Sequence, residues 1–436
     1  MKKATGPVRD FSNIRELGEA IRVATKEGDR PLPPMNPDVA ADLPDFEDTE
    51  TTFAHRTDSE LRHSARLFHL LNFGRLSDVL GSLSALAVKW HLPFAKWSVK
   101  NTIYKQFVGG ESLKEAEQHI GRLEELGVFS YLDYGAEGKS REEDFNKTMK
   151  VCLRDIQFAA QRDAVPVVIT KISALARFGL LEDIQRSDFS FDSVTRAEYK
   201  TVLKRLDAIC GAAAKAGVTL FIDAEESWIQ DTIDHLVTLM MRRYNREKAI
   251  VYNTFQLYRH DRLHYLTSSY DRARSGEYIL GAKLVRGAYM VKERKRAEER
   301  GTPSPIQADK QATDSDFNAA LRFCLDHYQE IAFCNASHNR DSAKLMARII
   351  LERGLPRRHP HLAFCQLYGM SDDLTFNLAK ADFNVAKYLV YGPVREVLPY
   401  LTRRAQENTT VTKDMGREYR MVVREIGRRK GENLDS

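Results

Sequence analysis

The sequence predicts an α/β protein built as an eight-stranded parallel β/α barrel, and three observations carry that expectation. The chain has 436 residues, 43% of them hydrophobic, which is enough to bury a large core and to exceed the roughly 250 residues of a typical barrel. From Val128 onward, short β-rich runs alternate with amphipathic helical stretches, the pattern of parallel β/α units. The runs are Val128 to Tyr134, Pro166 to Lys171, Val218 to Asp223, Ile250 to Gln256, Gly281 to Arg286, Ile331 to Asn335, His361 to Leu367 and Lys387 to Tyr391. Eight is the number that closes such a barrel.

Residues 1–127 read as a helical region ahead of the barrel, which takes 128–430 and leaves 431–436 as a tail. A helical pattern from about Ile14 to Glu27 gives way to Arg30-Pro-Leu-Pro-Pro-Met-Asn-Pro37, a helix-breaking linker. Ser59 to Tyr104 is rich in Leu, Ala, Phe and Trp and reads as several packed helices. A further helix is expected from Ser112 to Leu126, stopped by Gly127.

Charge and cysteine usage exclude several classes. Lys and Arg total 66 against 61 Asp and Glu, so bulk attraction to nucleic acid is not expected. Five scattered cysteines with no CxxC pair argue against a disulfide framework or a zinc site and for a reducing compartment. The N-terminus lacks an apolar signal stretch. Leu80 to Phe94 is interrupted by Lys89, Trp90 and His91, so no membrane span is expected. Neither GxGxxG after a strand nor GxxxxGK[ST] occurs, so a nucleotide cofactor would not sit on a Rossmann or P-loop turn.

Active sites of β/α barrels gather at the C-terminal ends of the strands. Here those ends offer Lys171, Asp223, Gln256, Lys283, Arg286, Ser337-His338-Asn339 and Tyr388, and cations converging on one mouth imply an anionic ligand. In the last helical stretch, Tyr400, Arg403, Arg404 and Glu407 share one side, beside an apolar stripe of Val394, Val397, Leu398 and Leu401. An arginine pair of this kind can grip a carboxylate. Each residue also has a plainer reading. The arginines and Glu407 could form a solvated ion-paired face, Asp223 a helix N-cap, and His338 a structural histidine. Lys171 and Lys283 could be ion-paired barrel residues or a Schiff-base lysine, Leu367 and Tyr388 ordinary packing, and Gly287 a strand exit. The basic tail from Arg417 to Lys430 reads as a solvated helix face or a disordered end, and less readily as a membrane-attracted segment.

Several ordered motifs together resemble the proline dehydrogenase family. They are Lys283-Leu-Val-Arg-Gly-Ala-Tyr289, Cys334-Asn-Ala-Ser-His-Asn339, Phe364-Cys-Gln-Leu-Tyr-Gly-Met370, and Tyr388 followed by Tyr400-Leu-Thr-Arg-Arg-Ala-Gln-Glu407, with Ile169-Thr-Lys171 and Phe221-Ile-Asp-Ala-Glu-Glu226. The resemblance covers roughly residues 50 to 430. It implies a distorted barrel of TIM type, a final helix over the mouth, and noncovalent FAD. The implied reaction takes L-proline to Δ1-pyrroline-5-carboxylate, the first step of proline catabolism, by hydride transfer from C5 to flavin N5, with a quinone as electron acceptor. By position, Lys171, Leu367, Tyr388, Tyr400, Arg403 and Arg404 resemble the substrate set. Gln256, Lys283, Val285, Arg286, Gly287, Tyr289, Ser337, His338, Asn339 and Glu407 resemble the flavin set, with Asp223 and Lys283 as the catalytic pair. Many bacterial members carry arginine at Lys283 and lysine at Arg286, while Met290 after Tyr289 is similar to the animal form. Relatives acting on hydroxyproline tend to have serine where this chain has Tyr388, which favours proline.

The resemblance further implies an enzyme peripheral to a membrane and a separate pyrroline-5-carboxylate dehydrogenase downstream. Because the N-terminus is not acid-poor or rich in Arg and Ser, the cytoplasmic face of a bacterial inner membrane is expected. Two competing readings remain at this level: an aldolase using Lys171 or Lys283, and a noncatalytic basic module whose binding falls steeply with salt.

Overall fold

Eight parallel strands close in sequence order into a barrel: β1 (Phe129–Tyr134), β2 (Val167–Thr170), β3 (Thr219–Ile222), β4 (Val251–Gln256), β5 (Leu280–Val285), β6 (Ile331–Ala336), β7 (Leu362–Leu367) and β8 (Val385–Tyr391), with β1 pairing β8. The structure is a computed structural model and describes residues 34–35, 37–72, 100–135, 139–410 and 412–431. Every expected run is a strand, its ends within two residues of the expected ones. The expected helix at Ile14 to Glu27, most of the proline-rich linker and the Leu80 to Phe94 stretch lie outside the described residues.

Alternation along the strands sets the two faces. Tyr131, Val167, Ile169, Phe221, Tyr252, Cys334, Cys365, Ala386 and Tyr388 form one buried cluster inside the barrel. Their neighbours Leu132, Val168, Leu220, Val251, Phe333, Phe364 and Leu389 pack outward against the helices. Period-two side-chain direction makes this possible, and each large apolar side chain fully removed from water contributes about 1.5–3 kcal/mol. All five cysteines are buried and free.

The longer helices around the barrel and beside it are α1 (Asp58–Asn72), α2 (Leu113–Glu124), α3 (Glu142–Ala159), α4 (Ser193–Ala216), α5 (Ser227–Tyr244), α6 (Arg262–Ser275), α7 (Met290–Arg300), α8 (Lys310–Asp326), α9 (Arg340–Glu352), α10 (Asp372–Lys380), α11 (Val394–Thr410) and α12 (Thr412–Lys430). The helix expected from Ser112 is α2: the Ser112 hydroxyl accepts from the Glu115 amide at 3.3 Å, and Gly127 follows with φ 71°, a left-handed exit that glycine adopts without strain.

The tail from Arg417 is not a loose end, and only one face of it, with Arg420, Arg424 and Arg428, is solvated as expected. It forms α12, whose Met421 and Val422 pack with Phe53, Leu61, Leu67 and Phe68 in a small separate core. Glu425 is fully buried and binds Arg428, Arg429 and the Thr49 hydroxyl. The periodicity of Met421, Val422 and Glu425 outweighs the basic composition. No helix among the described residues is long and apolar enough to cross a membrane.

Candidate active site

The inward residues at the C-terminal ends of β1, β2, β3, β5 and β8 meet in one buried polar network. Lys171 Nζ donates to Asp223 Oδ2 at 2.8 Å, and Lys283 Nζ donates to Asp223 Oδ1 at 2.5 Å. The Tyr388 hydroxyl lies 2.9 Å from the same Asp223 Oδ2 and 2.8 Å from Asp133 Oδ2. Lys283 Nζ also sits 4.8 Å from the Tyr388 ring centroid, a favourable cation–π geometry. Burial by itself would raise the Asp223 pKa, but the ammonium groups of Lys171 and Lys283 more than reverse this and hold the carboxyl well below its usual range. Burial pushes the Tyr388 phenol well above its ordinary value, and Asp133 and Asp223 push the same way. Tyr388 is therefore a neutral donor between two carboxylates. Asp223 is not the N-cap of the following helix: α5 begins at Ser227, and Glu226 flanks it.

A second arc follows the rim from β3 to β6. Gln256 donates to the Glu225 carbonyl at 2.8 Å and accepts from the Ala288 amide at 3.3 Å, tying two loops together. Glu225 itself accepts from the amide and hydroxyl of Ser173. Burial pushes its carboxyl up to about 7, although Lys171 and the Ser173 bonds oppose the shift. Val285 ends β5, and Arg286 just beyond it reaches Asp314 at 2.7 Å, Ser337 at 2.5 Å and Ser342 at 2.9 Å. Gly287 has φ 142°, and a Cβ there would lie 2.3 Å from the Tyr258 ring, so only glycine fits. Asn339 caps α9 by accepting from the Ser342 amide at 2.9 Å. His338 Nδ1 lies 2.9 Å from the Ser371 hydroxyl. Burial holds its pKa down to about 3, and Arg404, Lys387, Arg417 and Arg286 add to that, leaving a neutral imidazole.

The last helix of the barrel covers this mouth. Val394, Val397, Tyr400 and Leu401 of α11 belong to the same buried cluster as Tyr388, with Leu367 packed against it. The Arg404 guanidinium is buried and lies 5.5 Å from the Tyr400 ring, while that of Arg403 lies 5.7 Å from the ring of Tyr289, the residue before α7. The pair is thus turned toward the barrel rather than forming a solvated face. The Glu407 side chain lies outside the described residues. Among the sequence-selected residues, Lys171, Asp223, Lys283 and Tyr388 share one network, while Gln256, Arg286, Ser337, His338 and Asn339 line the rim beside it.

Sequence reasoning overlooked Asp133 and Glu225. Applying the strand-end rule to β1 would have reached Asp133, which alternation places on the face of Phe129 and Tyr131. Glu225 gave a weaker signal, one carboxylate in an acidic run.

Comparison with known proteins agrees with this architecture. The sequence model of the family described as "Proline dehydrogenase" matches residues 116–417. The "Carbapenem antibiotics biosynthesis protein CarD" of Pectobacterium carotovorum subsp. carotovorum is 33% identical over 76% of this chain and 85% of its own. "Proline dehydrogenase 2, mitochondrial" of Arabidopsis thaliana is 28% identical over 97% of each chain. Among solved structures, proline utilization A (PutA) from Bdellovibrio bacteriovorus aligns with a TM-score of 0.64 at 19% identity, covering 90% of this chain. This chain spans only 41% of that longer protein, so the likeness concerns the barrel fold. With the family match running from α2 through the barrel and α11 into α12, and so across every strand that feeds the network, the chain belongs to the proline dehydrogenase family.

Proposed function

We propose that this protein oxidises L-proline to Δ1-pyrroline-5-carboxylate, using FAD and passing the electrons on to a quinone. The observation that carries the reading is the buried bridge of Asp223 between Lys171 and Lys283, with Tyr388, beneath a helix that turns two arginines toward it. The chemistry of the rim donors fits a flavin: a guanidinium, a carboxamide, a hydroxyl and a neutral imidazole follow one another at Arg286, Gln256, Ser337 and His338. Gln256, Lys283, Val285, Arg286, Gly287, Tyr289, Ser337, His338 and Asn339 would hold it, with Glu407. When bound, FAD supplies the two-electron acceptor for the hydride at proline C5.

The residues around it bind and orient. Arg403 and Arg404 hold the substrate carboxylate, each such charged contact contributing about 1.5–3 kcal/mol. Leu367, Tyr388 and Tyr400 shape the ring pocket, and the bulk of Tyr388 crowds a 4-hydroxyl group. Asp223 pairs with Lys171 and Lys283 and fixes them in a site that α11 shields from water, where preorganised charge acts strongly. The amine proton passes to water. An aldolase lysine would have to become a neutral amine, and both candidates are bonded to an ionised Asp223 instead. The exposed Arg420 and the half-exposed Arg424 and Arg428 of α12 support peripheral contact with an anionic, quinone-bearing membrane.

The visible absorption spectrum of the purified protein tests the proposal, taken before and after anaerobic addition of L-proline. A flavin spectrum that bleaches with proline, and less readily with trans-4-hydroxyproline, is expected. A protein that carries no flavin and takes up none from added FAD would overturn the reading.

A further inference from the structure

We infer that Ser371, in the turn between β7 and α10, is a positioning residue that fixes His338 in the tautomer with its proton on Nε2, so that the imidazole donates a hydrogen bond to an acceptor oxygen of the bound cofactor. The inference rests on the proposed function and deepens the flavin side of the same site.

The direction of one hydrogen bond decides it. His338 Nδ1 and the Ser371 hydroxyl lie 2.9 Å apart, and a neutral imidazole has one nitrogen that donates and one that accepts. Ser371 is 1% exposed, and among the described residues its hydroxyl has no other partner. Were Nδ1 to carry the ring proton, the serine proton would be buried with nothing to receive it, at a cost of about 1–3 kcal/mol. The hydroxyl therefore donates to Nδ1, and the ring proton sits on Nε2. His338 is only partly buried, so Nε2 is open to a ligand in a way that the serine hydroxyl is not. The charged groups that act most on the ring, Arg404, Lys387, Arg417 and Arg286, are all cations and offer donors only. An acceptor for the Nε2 proton comes with the ligand, and a flavin cofactor brings carbonyl, hydroxyl and phosphate oxygens.

The turn that carries the serine is itself clasped from outside the barrel. The Gly369 carbonyl accepts from Gln106 at 2.8 Å, the Met370 carbonyl accepts from Lys387 Nζ at 2.6 Å, and the Ser371 amide donates to Glu418 Oε1 at 2.6 Å. Side chains from three separate segments thus hold three consecutive residues. On the other side of the imidazole, Asn339 caps α9 and fixes the loop that carries His338.

The test has two readouts. Carbon NMR of protein labelled at histidine Cδ2, with the His338 signal assigned by its absence in His338→Leu, reports the tautomer without any cofactor, and the form protonated on Nε2 is expected. Quenching of flavin fluorescence as cofactor-free protein is titrated with FAD gives Kd. Ser371→Ala should raise that Kd about fivefold, the worth of one neutral hydrogen bond. Ser371→Gly, which also lacks the hydroxyl, replaces the alanine variant if that one does not fold. In a His338→Leu background, which has no ring to orient, Ser371→Ala should leave Kd within about twofold. A wild-type ring protonated on Nδ1 overturns the inference, as does an unchanged Kd in folded Ser371→Ala. So does an equal rise in Kd with and without the imidazole, which a merely structural turn would give. Wild type that takes up no FAD overturns the proposed function instead, while the carbon signal still reads the tautomer, which keeps the two failures distinct.

Discussion

Two buried carboxyl groups, Asp223 at the mouth and Glu418 on α12, have opposite electrostatic fates in similar burial. Burial raises the pKa of each. At Asp223, Lys171 and Lys283 overcome it and the group stays ionised far into acid. At Glu418 the direct partner is a backbone amide, that of Ser371 at 2.6 Å, and the nearby cations serve other acids: Lys387 and Arg56 bind Asp372, and Arg340 binds Asp373. Burial together with Asp373 and Asp372 pushes Glu418 up to about 8. Depth does not decide the charge of a buried acid; the cations dedicated to it do.

The largest test of that contrast is Asp223→Asn, which keeps the shape and leaves two buried ammonium groups without their shared counter-charge. Stability should fall by about 3–5 kcal/mol. The rate of anaerobic flavin reduction by proline should fall more than about a hundredfold. Denaturant unfolding and stopped-flow reduction measure the two effects, and a variant with wild-type melting and activity would remove Asp223 from the site. Next in size is Arg403→Met, expected to raise KM for proline more than about tenfold with flavin retained. Unchanged kinetics would refute its role on the carboxylate.

The two carboxyls also divide the pH scale. Asp223 has a folded pKa below its ordinary value, so its contribution is present above the unfolded pKa and is lost as pH falls through the folded one. Glu418 has a folded pKa of about 8 against an ordinary 4.5. The folded chain therefore binds its proton more tightly, and its contribution is full below the unfolded pKa and lost as pH rises through the folded one. Glu418→Gln, a permanently neutral isostere, should flatten the loss of stability between about pH 4.5 and 8 and leave acid unfolding as it is. Identical melting profiles for the variant and wild type across that range would show that Glu418 is ionised in the folded state.

The same contrast separates what was legible in the sequence from what was not. The eight strands announced themselves as β-rich runs bounded by Gly, Pro and charged residues, and β8 began earlier than expected because Val385 pairs with Phe364, a tertiary contact. Lys171, Asp223, Lys283 and Tyr388 were found because each is the inward polar residue near a strand end. Asp133 obeys the same rule, but its meaning depends on Tyr388, 255 residues away, and nothing in the aromatic run around it signals that partner. Glu418 was harder still. In a helix full of arginine it reads as one more solvated acid, and only the packing of α12 on α1 reveals its burial.

The smallest effect is expected at Ser371, the hinge between Glu418 and His338. Its backbone is left-handed, φ 49° and ψ 47°, a conformation that costs a non-glycine residue about 1–2 kcal/mol. Its amide serves Glu418 and its hydroxyl serves His338. Ser371→Ala loses the hydroxyl contact and keeps the strain, so it should destabilise by about 1 kcal/mol. Ser371→Gly loses the same contact and relieves the strain, so it should remain within about 1 kcal/mol of wild type. The amide to Glu418 survives in both, so the pH dependence assigned to Glu418 should persist in both. Urea unfolding at two pH values reads the two quantities together. Equal destabilisation by alanine and glycine would mean that Glu418 and its neighbours, rather than the residue's own torsions, fix the turn.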